Sequence, residues 1–304
     1  MTVRDLSYRR YEGPRLSRVG RIMAITAIGI RLGLRRRFLI LAMLLAVPFA
    51  FLFGVLFYYA AGGAEEFLRR AGLFYLAPEW QAMLGPNYTQ ADLWALLVNR
   101  HFYFSLLWAL VVIPWVGPSL LADDFQSRAL SIYFSKPIAR IDYLVGKWAV
   151  LGFFVACVTL VPSLVLYVIS ILLSRDLTIL RLTWGLVPAV FAWWALVAIV
   201  GGLLMMAFSA SGLSRAFAAA GWLMTVLGSE VLRVLLQEAP NLTKPKWAPV
   251  VSLWADTELL GRVFLGVDRP MDVSVFGALG LLLAVAAISA AYVWWRVRTV
   301  EELR

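Results

Sequence analysis

The chain is poor in the side chains that do chemistry. It has one cysteine, Cys157, and one histidine, His101, in 304 residues. One thiol makes no intramolecular disulfide and no cysteine cage for a metal. His101 stands at the edge of an apolar run, where a lone imidazole serves as a headgroup or hydrogen-bond neighbour rather than as a ligand. Charge is scarce as well. Only 15% of residues are Asp, Glu, Lys or Arg, against about a quarter in soluble domains.

The usual catalytic signatures are missing too. No GxxxxGK[ST] occurs: Gly146-Lys147 is present, but Ile141 stands where the first glycine belongs and Trp148 follows the lysine. A phosphate cradle needs that glycine's backbone and a hydroxyl for magnesium, so ATP binding by this route is excluded. Neither HExxH nor GxSxG occurs, which leaves a metalloprotease or serine hydrolase without residues.

What the chain does have is grease. It is 62% hydrophobic, with a mean hydropathy of +0.81. A bilayer core about 30 Å thick takes roughly 20 apolar residues per helix. Six runs qualify: Phe38–Ala61, Phe102–Leu121, Trp148–Leu173, Thr183–Phe208, Phe217–Leu236 and Val273–Trp295. They are continuous rather than alternating, so they read as helices and not barrel strands. The expected fold is all-α and polytopic: a basic arm over 1–37, six spans over 38–295 and a short tail over 296–304. No leader segment stands out, and the first span is expected to be retained. Trp80, Trp94, Trp148, Trp247, Trp294 and Trp295 lie near run ends, where an indole ring favours the headgroup level.

The formal charge is +10, but its placement points to topology rather than to nucleic acid. Ten basic residues precede Phe38, four lie at Arg128, Lys136, Arg140 and Lys147, one is Arg215 and three are in the tail. The other ten are spread over the longer loops of the opposite side. The positive-inside rule then places both termini in the cytoplasm. Segment 15–37 is too charged to span. It puts Leu16, Val19, Met23 and Ile30 on one helical face and Arg15, Arg18 and Arg21 on another. That suits a helix lying in the membrane surface, and equally a plain basic anchor. The outer loops, 62–101 and 237–272, mix Pro and Gly breaks with Trp and Leu, as short surface helices or re-entrant turns do. They carry two chance-prone glycosylation patterns, at Asn87 and Asn241.

Within the spans the ionisable side chains are Glu230 and Arg233. Ion-coupled carriers keep buried charge where the ion binds, so this scarcity argues against one. The two residues are one helical turn apart, as an internal ion pair or as an outer gate. Pro114, Pro118, Pro162 and Pro188 sit inside runs and suit helices that bend.

One stretch, "LADDFQSRALSIYFSKPIARIDYLVGKW" from Leu121 to Trp148, stands apart as polar. Asp123 or Asp124 is expected to cap a helix that leaves the membrane at Ala122. Phe125, Ala129 and Ile132 or Tyr133 then share one face, and Pro137 ends the helix. The product is a short amphipathic helix between spans two and three, fit for a partner's groove or for a plain interfacial connector.

This stretch resembles the cytoplasmic loop of type-2 ABC exporter permeases. The matching positions are Asp123 and Asp124, then Ser135-Lys136-Pro137, then Arg140, Tyr143, Gly146 and Lys147. "YRRYEGPR" (Tyr8–Arg15) is similar to the N-terminal signature of one bacterial branch of that family. Where many members carry Gly-Thr, this chain has Ser127-Arg128-Ala129. The resemblance implies a six-span permease subunit of the bacterial cytoplasmic membrane, without ATPase activity of its own. It implies a coupling helix seated on a separate ABC ATPase subunit in two copies, which holds the ATP and Mg. It also implies pairing with a second copy or a related permease. On it, Asp123, Asp124, Phe125, Arg128, Tyr133, Lys136 and Arg140 are the expected ATPase contacts, and Asp124→Lys is expected to uncouple transport while leaving expression intact. Two alternatives stay open. One is a non-transporting membrane anchor of an ATPase complex. The other is an intramembrane lipid-modifying enzyme using Asp123-Asp124 to hold a divalent metal. Lipid, hydrophobic peptide or drug all suit such spans, and copper does not suit one Cys and one His.

Overall fold

The computed structural model describes residues 17–62, 90–134, 138–173, 178–238, 247–267 and 274–302. Among these the only regular elements are helices: α1 (Arg18–Leu34), α2 (Arg37–Gly62), α3 (Gln90–Val116), α4 (Pro118–Gln126), α5 (Ala129–Tyr133), α6 (Arg140–Val158), α7 (Leu160–Leu173), α8 (Thr178–Thr183), α9 (Leu186–Ala210), α10 (Arg215–Glu238), α11 (Leu253–Leu265) and α12 (Val275–Glu302). A 3-10 turn, Ala248–Val251, precedes α11.

Five helical rods are long and apolar enough to cross a bilayer: Leu97–Gln126, Arg140–Ile169, Leu186–Ala210, Arg215–Gln237 and Val275–Thr299. The protein is a multi-pass membrane protein. Several sequence boundaries shift. The run expected from Trp148 starts as a helix at Arg140, so Lys147 and Trp148 lie inside it. Thr183 belongs to the separate helix α8, and the rod after it starts at Leu186. The expected tail continues α12 as far as Glu302. Of the outer loops, 63–89, 239–246 and 268–272, with both glycosylation patterns, lie outside the described residues, while 247–267 holds the 3-10 turn and the short helix α11.

Two rods are bent rather than broken. Gly117 joins α3 to α4, and Pro118 opens α4 at its first position, where a missing N–H costs nothing. The neighbouring rod completes the bend. The Ser209 hydroxyl accepts from the Leu121 and Ala122 amides at 3.0 and 2.9 Å and donates to the Pro118 carbonyl at 2.7 Å. Gly117 is needed there because a Cβ would fall 2.2 Å from Met205 Cγ on α9. A second bend, at Thr159 between α6 and α7, precedes Pro162.

The long helix α9 packs against α3, α4, α6, α10, α11 and α12, and forms the centre of the bundle. Its Trp193 is sealed from solvent and stacks on Phe102 of α3, with ring centres 4.7 Å apart and planes 3° apart. Indole N–H groups tie the rods together. Trp148 donates to the Ala198 carbonyl, Trp194 to Gly152 and Trp222 to Gly201, at 2.9–3.1 Å. Trp148 is therefore an inter-helix tie and not a headgroup anchor, because a half-buried indole seeks an acceptor. Trp247, Trp294 and Trp295 are exposed, as an interfacial role requires.

Helix α1 is docked on α6. Gly29 and Gly33, one turn apart, let the backbones close, since a Cβ would come within 2.4 Å of Val150 and 2.5 Å of Phe154. Val19, Met23, Ile28 and Leu32 stay exposed on its outer side.

Candidate functional site

The polar stretch folds back on itself. Asp124, at the end of one rod, accepts from the Tyr143 hydroxyl at 2.6 Å and pairs with the Lys147 ammonium at 2.6 Å, both from the start of the next rod. Tyr143 is buried, and its ring meets Tyr133 and Phe134 of the loop, both at 5.8 Å between centres. Lys147 also lies over the Tyr143 ring, at 5.4 Å. Three positions of the sequence pattern, Asp124, Tyr143 and Lys147, thus form one clasp closing the loop between two rods.

Neighbouring charges brace this end of the bundle. Asp123 accepts from Nε and Nη2 of Arg215, each at 2.6 Å, and Gln126 donates to the Leu213 carbonyl at 3.1 Å. Asp142 is fully buried and holds Arg18 at 2.7 Å and Arg21 at 3.1 Å, which pins α1 to α6. Arg296 of α12 donates to the last carbonyls of α9, Ala210 and Ser211, and its guanidinium lies 5.4 Å from the Phe125 ring centre. A cation at a helix C-terminus meets the negative end of the helix dipole. Between α1 and the clasp lies a cleft of about 420 Å³, lined by Arg21, Gly29, Leu120, Asp123, Lys147 and Val150 among others.

Several expectations change. Asp123 and Asp124 do not cap a helix. They sit in the last turn of α4, which began at Pro118. The amphipathic helix is interrupted, since Arg128 adopts the left-handed conformation (φ 54°, ψ 25°) between α4 and α5. Phe125 and Ala129 therefore belong to two helices and share no continuous face. Asp124 is 8% exposed and faces inward, so it is not a surface contact. Arg128 is exposed, and Phe125, Tyr133 and Arg140 are partly so. Helix α5 ends at Tyr133, before Pro137. Lys136 and Pro137 lie outside the described residues. Left-handed backbone costs a non-glycine residue about 1 kcal/mol.

At the far end of α10, Glu230 and Arg233 are joined at 2.5 Å, and Glu230 also accepts from Ser252. They line a cavity of about 280 Å³ between α3, α10 and α11, together with Tyr103, Trp254, Asp256 and the Glu258–Arg262 pair. Asp256 is buried without a hydrogen-bond partner among the described residues. Burial pushes its carboxyl up to about 7.

Sequence reasoning missed Asp142, Arg215, Ser209, Arg296 and Asp256. The Arg18–Arg21 spacing was a signal for a shared partner, and Gly117-Pro118 was a signal for a helix start. Arg296 and Asp256 carried no local signal. Comparison with known protein families finds no match, and no curated protein matches the chain.

Proposed function

We propose that this chain is the membrane-spanning permease subunit of an ATP-driven ABC exporter. The observation that carries the reading is the Asp124–Tyr143–Lys147 clasp. It ties the cytoplasmic loop rigidly to two rods, so that a push on the loop reaches both. α4 and α5 with the exposed turn at Arg128 form the coupling peg, offering Phe125, Arg128, Tyr133 and Arg140 to a groove on the ATPase. Asp124 serves from inside the peg. The left-handed turn falls at Ser127-Arg128-Ala129, where the permeases that this stretch resembles often carry Gly-Thr. Glycine takes that conformation freely.

On this reading α2 is the first of six spans, α1 lies at the inner surface, and both termini are cytoplasmic. The membrane is the bacterial cytoplasmic one. ATP and Mg are held by two ATPase subunits, and a second permease completes the path. The lipid-enzyme alternative loses ground, because Asp123 and Asp124 are each committed to protein cations.

The test is purification of the tagged protein from its native membrane in mild detergent. A stoichiometric ATPase with vanadate-sensitive hydrolysis is expected, and it is lost in Arg128→Glu while that variant keeps its size-exclusion profile. Recovery of the chain alone, under conditions that hold comparable complexes together, overturns the reading.

A further inference from the structure

We propose that the cleft between α1 and the clasp holds an anionic phospholipid, with its phosphate on Arg36 and an acyl chain along the aliphatic part of the wall. The site stands whether or not the chain is a permease, and its test needs no ATPase.

Charge sets the headgroup. Residues 13–64 contain seven arginines and no acidic residue. Four of the seven, Arg31, Arg35, Arg36 and Arg37, crowd the step from the last turn of α1 into α2. A basic cluster at the start of a membrane span attracts anionic lipid. Arg36 is the member of this cluster that lines the cleft, and it is partly exposed there. Its guanidinium donates to the Trp115 carbonyl at 3.2 Å, and no carboxylate among the described residues pairs with it. One carbonyl uses one of five N–H donors, so the fork keeps donors for a second acceptor. The other charged groups of the wall are matched inside the protein. Asp123 holds Arg215, Asp124 holds Lys147, and Arg21 is held by Asp142. Neither aspartate is left as a bare charge to repel an anion at Arg36. Phosphate oxygens fit a guanidinium fork better than they fit a point charge.

Placement sets the rest of the molecule. Ile25, Ile28, Leu32, Val116, Leu120 and Val150 give the cleft its aliphatic wall. Ile28 and Leu32 are also 60% and 56% exposed on the outer side of α1, beside Val19 and Met23. The aliphatic wall is therefore continuous with an open apolar helix face, which in a membrane protein meets acyl chains rather than water. Trp115 is half-exposed and lies against the exposed Phe38, with ring centres 5.8 Å apart. An indole with an open face favours the headgroup level, and the carbonyl of this same residue holds Arg36. Phosphate and chain thus meet their partners in one place. The volume of about 420 Å³ lies within the range of small-molecule sites. A free phosphate would satisfy Arg36 and leave the aliphatic wall bare. An uncharged lipid would cover the wall and leave Arg36 with its carbonyl alone.

The experiment uses the purified full chain, stripped of lipid in neutral detergent, with native mass spectrometry to count bound lipids. The probes are dioleoyl phosphatidylglycerol and dioleoyl phosphatidylcholine, which share their chains and differ in net charge. At equal concentrations the wild type takes up a phosphatidylglycerol before any phosphatidylcholine. Arg36→Gln weakens that first binding about fivefold, the worth of one basic residue at an anionic surface. Ile28→Trp narrows the cleft without changing charge and weakens it several-fold. Arg181→Gln removes an exposed arginine from α8 and leaves it unchanged. Inorganic phosphate and glycerophosphoglycerol, the headgroup without chains, do not displace the lipid. Circular dichroism and size exclusion verify that each variant is folded. If Arg36→Gln does not fold, Ile28→Trp and the wild type's choice between the two lipids decide. Equal uptake of both lipids by the wild type means an ordinary lipid annulus and overturns the proposal. Unchanged binding in folded Arg36→Gln or Ile28→Trp overturns it, as does an equal loss in Arg181→Gln. Displacement by inorganic phosphate also overturns it, and makes the cleft a site for a free anion.

Discussion

At the scale of single residues, Asp124 and Asp256 show how differently two buried carboxylates behave. Asp124 has an ammonium and a phenol for partners, and removing its charge strands Lys147. Asp124→Lys puts two ammoniums in that space. The expected result is a loss of about 3–5 kcal/mol, typical of a broken buried pair. Fluorescence-detected size exclusion after heating should show reduced monodisperse protein, which replaces the silent uncoupling that the sequence alone suggested. Asp256 has no hydrogen-bond partner among the described residues, and burial raises its pKa to about 7 from an ordinary 3.8. The folded chain therefore holds this proton where the unfolded chain has lost it. Its contribution is fully present below about pH 4 and is lost as pH rises through about 7. Asp256→Asn should flatten the pH dependence of the melting temperature across that window and leave the remaining profile in place. Neither behaviour is legible in the sequence, because Asp123-Asp124 and Asp256 look alike without their neighbours.

At the scale of elements, five of the six expected spans were legible as long apolar rods, and their joints were not. Uninterrupted apolar runs identify membrane helices because the bilayer demands internally paired backbone. Rod ends depend on tertiary partners instead. Trp148 reads as an interfacial anchor by position, yet the Ala198 carbonyl draws its indole inward. The start of α4 was written in Gly117-Pro118, but Ser209, far along the chain, is what satisfies the bend. The docking of α1 is similar, since Asp142 and the Arg18–Arg21 pair are more than a hundred residues apart. Gly29→Leu should force α1 off α6, because its Cβ alone already meets Val150. Trypsin should then cut after Arg21 faster than in the wild type, with α9 and α12 unaffected. Equal cleavage rates would show that the ion pairs alone hold α1.

At the scale of the whole molecule, the charged groups gather at two ends of an apolar bundle. Arg215 and Glu230 mark those ends on α10, about 22 Å apart at the rise of a helix. Among the described residues, the hydrogen bonds and ion pairs of the clasp and of the Glu230–Arg233–Ser252 group have no residue in common. The destabilisations from Asp124→Asn and Glu230→Gln should therefore add to within about 0.5 kcal/mol in a double-mutant cycle. A larger coupling would mean that the two ends move as one body. The clasp also changes what kind of segment lies between the end of α4 at Gln126 and the start of α6 at Arg140. It is a tether whose ends are fastened by a bond of its own. Lengthening such a closed loop costs little, about 0.6 kcal/mol for each doubling. Its length can drift by insertion and deletion while the rods it joins stay in register, and on the permease reading proposed above the peg could then be refitted to a new partner without rebuilding the membrane bundle.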